Sequence, residues 1–122
     1  YCYYPCLLNS GVIPMSVYQE IQAEALLPLL AKNPPLLVDV RNDDEVARGI
    51  IAGAIHIPLA MLPAQYDQIS KADSVVFYCH SGIRSAHAAA FAASKGCKHP
   101  YNLTGGILAW GRAGLPFVSK TK

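Results

Sequence analysis

The chain has 122 residues, ten basic and eight acidic side chains, a net charge of +2 and an apolar fraction of 52%. That length suits one domain with its own core, and so even a charge balance excludes a protein built on phosphate-backbone contacts, so no nucleic-acid partner is expected. Pro, Gly and charged residues cut every apolar run short of the roughly 18 residues a membrane-spanning helix needs, so no membrane partner is expected either.

Residues 1–14, YCYYPCLLNSGVIP, carry no initiating Met, no basic n-region and no small-residue cleavage pattern. Met15 is the expected natural start, with Tyr1 to Pro14 a leader or cloning remnant and residues 15–122 the domain. Tyr18 to Ile21 alternates apolar and polar residues as a short strand does. The following AEALLPLLAK has helical spacing until Pro34-Pro35 stops it. Leu36 to Arg41, LLVDVR, is apolar without alternation and too short for a helix, the pattern of a strand buried on both faces of a parallel sheet. NDDEVARG then offers Asn42 or Asp43 as a helix N-cap, acidic residues in the first turn and Gly49 as a stop. AGAIHIP reads as a brief strand ended by Pro58, and Leu59 to Ala72 as a helix broken by Pro63.

SVVFYC, Ser74 to Cys79, is the second buried strand, and the cysteine ends it. RSAHAAAFAASK, Arg84 to Lys95, is an Ala-rich helix closed by Gly96. A strand at HPYNL, a turn at Gly105-Gly106 and a last helix around LAWGRAG complete the chain. Strands alternating with helices predict an α/β fold of βαβ units, with a parallel sheet and helices on both faces.

Four cysteines, Cys2, Cys6, Cys79 and Cys97, form no CxxC pair and no Cys/His cluster with zinc-ligand spacing. A core of this size needs no disulfide staples, so a reducing, cytoplasmic setting is expected. The Cys2/Cys6 spacing leaves a disulfide or metal pair as an alternative at that end. Cys79 is the cysteine whose surroundings carry chemistry. A thiol at the C-terminal end of a parallel strand, before a turn into a helix, lies where open α/β sheets place their ligand crevice. Free amides of such a turn and the helix dipole converge there and favour an anion. Helix N-termini and nearby cations lower a cysteine pKa, so Cys79 is expected to be ionised and nucleophilic near neutrality. Arg84 carries a permanent charge at the far end of the loop, to meet an anionic substrate or to fix the loop through a carboxylate. The rival reading, a small buried hydrophobe ending a strand, leaves the polar, flexible HSG between cysteine and arginine without a purpose.

The sequence CHSGIR, between a strand and an Ala-rich helix, resembles the active-site loop of the rhodanese (thiosulfate sulfurtransferase) family. DVRNDDEVARGIIAGAIHIP and NLTGGILAWGRAGLP resemble two further motifs of that family, in its order and spacing. The resemblance runs through Met15 to Val118, and Tyr1 to Pro14 matches nothing in it. It implies a central parallel five-stranded sheet and a persulfide-forming Cys79. His80, Ser81, Gly82, Ile83, Arg84 and Ser85 would form the loop that binds substrate and persulfide, with Gly82 supplying a backbone angle other residues resist. The Cys79 thiolate would take the outer sulfur of thiosulfate, or of a protein persulfide donor, and pass it to cyanide or a thiol acceptor, with no metal or organic cofactor.

Two rivals are weighed against this reading. Phosphatases of related fold separate cysteine from arginine by five residues; here four intervene, a ring suited to one sulfur atom. A noncatalytic rhodanese-fold module that binds or regulates a partner protein is the other, against which the intact Cys79 and Arg84 argue. Among the remaining residues, Asp39 and Arg41 match the family's Asp-x-Arg. Asp39 is expected to be a buried carboxylate holding backbone amides or Arg84, and Arg41 a charge that helps attract an anion. Glu45 is expected in an ion pair, Trp110 in the core, His87 on a helix surface, and His56 and His99 in structural or exposed positions. His80 borders the pocket mouth. Cys97 fills a core position or, alternatively, resolves a disulfide with Cys79.

Overall fold

The structure, a computed structural model, describes residues 18–32, 34–115 and 117–118. The expectations placed on Tyr1 to Pro14, any Cys2/Cys6 pairing among them, lie outside the described residues.

The strands are β1 (Gln19–Ile21), β2 (Leu36–Asp39), β3 (Ile55–His56), β4 (Ser74–Tyr78) and β5 (His99–Leu103), in the spatial order β1-β5-β4-β2-β3. Every pairing is parallel. The central strands β2 and β4 are the two runs without alternation, and only their first residues are less than fully buried. Pro100 is tolerated in β5 because β1 pairs only from Tyr101 onward, while His99 sends its own N–H to Asp73 on the other side. The missing donor of Pro100 therefore falls where no neighbouring strand needs it.

Helices α1 (Ala23–Lys32), α2 (Asp43–Val46), α3 (Leu62–Gln65), α4 (Ile83–Ser94) and α5 (Gly106–Arg112) join the strands. Alternation along β4 divides the core in two. Val75, Phe77 and Cys79 pack with Ala88, Ala89 and Ala92 of α4 and with Leu62, Tyr66 and Ile69, whereas Val76 and Tyr78 pack with Leu26 of α1 and Ile107 and Trp110 of α5. Helices thus cover both faces, and the sulfur of Cys79 belongs to the α4 side. The buried positions of α4, Ser85, Ala88, Ala89 and Ala92, follow the i, i+3, i+4, i+7 stripe of an amphipathic helix. Gly96 ends this helix with a Cys97 N–H to Ala92 bond and a Gly96 N–H to Ala93 bond, the pattern of a Schellman stop.

The expected helix over Leu59 to Ala72 takes a different form. Turns of 3₁₀ helix at Leu59–Met61 and Tyr66–Gln68 flank the four-residue α3. Pro63 stands in the first turn of α3, where its missing N–H has no intrahelical partner to lose, so it starts a helix and does not break one.

The strand order positions the site. From β2 the chain turns to β3 on one side, and from β4 it turns to β5 on the other. The C-terminal ends of the adjacent strands β2 and β4 therefore bound the crevice at which open α/β sheets bind ligands. No described helix is long and apolar enough to cross a membrane.

Candidate active site

Cys79 directly follows β4, and four features hold the turn after it. Ile107 and Leu108, at the start of α5, donate their N–H groups to the carbonyls of Cys79 and His80 at 2.8 and 3.1 Å. With these carbonyls tied to α5, amides of the loop are free to turn toward the sulfur. Gly106 permits this docking: a Cβ there would lie 2.5 Å from the Cys79 carbonyl oxygen and 2.6 Å from that of His80. Gly82 is the N-cap of α4 at φ 103°, in the left-handed region that bars most side chains.

Within this turn the Gly82 N–H lies 3.1 Å from the Cys79 sulfur, and the Ser85 hydroxyl lies 3.5 Å from it. Burial pushes the Cys79 thiol up, but the Ser85 hydroxyl and the N–H groups of Ser85, Gly82 and Ser81 outweigh it, leaving the group below its ordinary value. Of the expected cradle of amides from His80 to Ser85, those of Ser81, Gly82 and Ser85 act on the sulfur. His80, Ser81 and Ile83 are exposed on the rim, Ile83 to 69%. The cysteine itself is only 1% exposed. The sulfur therefore lies at the bottom of the turn, beneath its exposed rim.

Arg84 points away from α4 to Glu45 of α2, with Nη1 2.7 Å from Oε1 and Nη2 2.9 Å from Oε2. Glu45 also accepts the Asn42 N–H at 3.0 Å, so the helix cap and the ion pair share one carboxylate. The Arg84 guanidinium holds Glu45 down at about 2, and Glu45 in turn pushes Arg84 up. The anionic sulfur of Cys79 adds to the rise at Arg84, which places this charge within electrostatic reach of the cysteine.

Of the two roles expected of the buried Asp39, holding a backbone amide is met and holding Arg84 is not. Asp39 is fully buried and binds Arg41, taking its main-chain N–H at 2.9 Å, Nε at 3.0 Å and Nη2 at 2.7 Å; the carboxylate that holds Arg84 is Glu45. Arg41 is 4% exposed and gives a further bond from Nη2 to the Gly49 carbonyl at 2.7 Å. It closes the segment between β2 and Gly49 more than it offers charge to solvent. Both residues do stand at the crevice, since Asp39 and Tyr78 are paired across β2 and β4. A resolving role for Cys97 is also overturned. Cys79 precedes α4 and Cys97 follows it, and 12 helical residues separate two ends by about 18 Å, far beyond the ~7 Å that a disulfide spans between α-carbons.

Sequence reasoning left three contributors unassigned. Asn102 of β5 and Glu20 of β1 form a polar chain behind Ser85; Asn102 opens the NLTGG motif but nothing in the sequence gave it this role, and Glu20 carried no signal. Gly106 had one in the double glycine, which reads only as a turn until its contact with the loop is seen. His87 is exposed on α4, Trp110 is 2% exposed in the core, and the His56 Nε2 lies 2.7 Å from the Arg41 carbonyl oxygen. Beside the loop, on the α5 side, lies a cavity of ≈ 670 Å³ whose walls include His80, Arg48, Arg112, Leu108 and Phe117.

The family model described as the Rhodanese-like domain matches residues 22–113. The chain belongs to the rhodanese family. A "Sulfurtransferase" of Allochromatium vinosum is 43% identical over 101 residues, covering 82% of this chain and 94% of that protein. The "Thiosulfate sulfurtransferase GlpE" of Coxiella burnetii is 31% identical over 94 residues, or 77% of this chain and 88% of its own. The crystal structure of a rhodanese-like domain protein from Staphylococcus aureus superposes with a TM-score of 0.75 at 31% identity, covering 84% of this chain and 99% of that one. The rhodanese match takes in every element from α1 to α5, and with them the whole Cys79 loop.

Proposed function

We propose that this rhodanese-family protein is a sulfurtransferase that carries one sulfane sulfur on Cys79, taken from thiosulfate or a persulfide and given to a thiol or cyanide. The observation that carries the reading is a sulfur that is buried yet bonded by main-chain and hydroxyl donors, with the Gly82 N–H at 3.1 Å. Such donors favour the anion without needing a histidine to remove the proton.

The Cys79 thiolate attacks the outer sulfur of the donor. A new S–S bond forms at Cys79, the donor's S–S bond breaks, and sulfite leaves with the bonding electron pair if thiosulfate is the donor. An S–S bond of about 2.05 Å then raises the transferable atom above the buried Cys79 sulfur, toward the rim where an acceptor approaches. The acceptor's lone pair attacks that outer atom, and the bonding pair returns to Cys79 as thiolate. A loop with only four residues between Cys79 and Arg84 suits a terminal sulfur more than a tetrahedral phosphate. The arginines at the neighbouring cavity, Arg48 and Arg112, give the approach of an anionic donor a favourable sign.

Intact-mass measurement after exposure to thiosulfate tests the reading. A gain of one sulfur, removed by cyanide and absent in Cys79→Ser, is the expected result. An unchanged mass with thiosulfate and with a persulfide donor overturns it in favour of a noncatalytic module.

A further inference from the structure

The Ser85 hydroxyl is completely buried and has one proton but two acceptors within reach: the Asn102 Oδ1 at 2.5 Å and the Cys79 sulfur at 3.5 Å. The orientation of the Asn102 side chain follows from its other neighbours. Its Nδ2 lies 3.1 Å from the Gly82 carbonyl oxygen and 3.2 Å from both carboxylate oxygens of Glu20 on β1. Those groups only accept, so the amide nitrogen must face them and the amide oxygen must face Ser85. Asn102 is 4% exposed, and no bulk water reaches it to replace a lost donor.

We propose that Asn102 is a positioning residue for Cys79: it competes with the sulfur for the Ser85 hydroxyl proton and thereby governs how firmly the sulfur's charge is held. In the thiol form the Ser85 O–H points to Asn102, and the Cys79 S–H points to the Ser85 oxygen. When the sulfur is ionised the hydroxyl rotates to the sulfur, and the Asn102 oxygen gives up its donor. Leaving a buried acceptor without a donor is costly, so Asn102 opposes the thiolate that the loop amides favour. A thiolate held less deeply is the stronger nucleophile at a given degree of ionisation. When the outer atom of a persulfide carries the charge, the hydroxyl proton returns to Asn102. The thiol proton leaves to solvent on ionisation; between Ser85, Asn102 and Cys79 no proton changes owner, and one O–H bond rotates. The catalytic meaning of this toggle rests on the reading of Cys79 as the sulfur carrier, but the toggle itself does not.

The charges around the sulfur are accounted for separately. Arg84 on α4 acts on it directly and has Glu45 of α2 as its counter-ion. Asp39 and Arg41 at the end of β2 neutralise each other, and Glu20 acts through Asn102. Replacing Asn102 alters none of these charges.

The test is the pH dependence of iodoacetamide alkylation at Cys79 in the full chain, read from the Cys79 peptide. Asn102→Ala is expected to lower the midpoint by about half a unit to one unit, the worth of one neutral hydrogen bond. A side chain that merely braces the loop would raise the midpoint on removal, by loosening Gly82. In a Ser85→Ala background the same change is expected to leave the midpoint where it was. Glu20→Ala, on the exposed edge strand, is expected to lower the midpoint by less, because Asn102 then keeps only the Gly82 carbonyl to fix its orientation. A folded Asn102→Ala whose midpoint stays or rises overturns the proposal, as does a shift that persists without Ser85. Should Asn102→Ala fail to fold, Glu20→Ala decides by comparison: a midpoint that stays or rises counts against, and so does a fall that persists in the Ser85→Ala background, as the loss of a negative charge alone would give. Alkylation needs no sulfur donor, so a protein that shifts as expected yet accepts no sulfur would overturn the sulfurtransferase reading and leave the toggle standing.

Discussion

Arg84 and Glu45 meet across 39 residues of chain, each terminal nitrogen of the guanidinium facing one oxygen of the carboxylate at 2.7 and 2.9 Å. The pair joins the helix after the cysteine to the helix after β2, so one ion pair spans the crevice between the two central strands. Arginine suits the place because its planar fork matches a carboxylate at two points, which a lysine does not.

The first prediction follows from that pair. Glu45 is lowered from 4.5 to about 2, so its contribution to stability is fully present above 4.5 and is lost as the pH falls through about 2. The stability gap between the wild type and Glu45→Gln should accordingly narrow between those two pH values. With the Arg84 side chain 35% exposed, solvent screening limits the gap at neutral pH to about 1 kcal/mol or less. Urea unfolding at a series of pH values measures it; a gap that widens toward acid contradicts the assignment.

A second prediction concerns the cysteine. The thiol is lowered, so the reactive anion is present above its folded pKa and is lost on acidification through it. Alkylation of Cys79 should rise with pH with its midpoint below the ~8.5 of an unperturbed cysteine. Cys97 is pushed the other way, chiefly by burial, and should react later. The two peptides of one digest supply both curves, and a Cys79 midpoint at or above that of Cys97 would refute the cradle.

These arguments also mark what the sequence made legible. Both central strands could be read because burial on two faces leaves a dense apolar run, and α4 because alanines recur at helical spacing. The cysteine loop was legible through chemistry, a polar turn between a buried thiol and a charge. Partners were not. Glu45 was readable as half of an ion pair, but its other half lies 39 residues away, and the choice between Asp39 and Glu45 for Arg84 depends on where β2 ends. Asn102 and Ser85 stand 17 residues apart on two elements with no shared local pattern. The weak periodicity after Pro58 misled for a different reason: Pro63 has opposite meanings at the first turn of a helix and in its interior, and residue order alone does not say which applies.

A third prediction tests the support beneath the loop. At Gly106 the backbone stands at φ 60°, and an added Cβ meets main-chain oxygens of Cys79 and His80 at 2.5 and 2.6 Å, atoms that cannot swing aside. Gly106→Ala should cost about 2–4 kcal/mol through strain and forced movement of the loop. The midpoint of Cys79 alkylation should rise in the fraction that folds, because the amides then point less well at the sulfur. Gly96→Ala is the control: it is equally left-handed at φ 96°, but open space surrounds its added Cβ. It should lose stability without moving the Cys79 midpoint.

The buried pair of Asp39 and Arg41 gives a fourth prediction. Asp39 is fully buried and Arg41 4% exposed, so Asp39→Asn leaves a guanidinium charge buried without its counter-ion, at a cost of about 3–5 kcal/mol. The pair itself contributes far less than that figure, because both charges were desolvated to form it. The double variant Asp39→Asn with Arg41→Met should therefore be less destabilised than the two single changes summed, and a thermodynamic cycle of urea melts measures the difference. Strict additivity would mean that the two side chains do not interact as the structure has them. Arg84 keeps Glu45 in all of these variants, so sulfur loading per folded molecule should track the wild type far more closely than stability does. A loss of loading in fully folded Asp39→Asn would instead give this carboxylate a part in the chemistry.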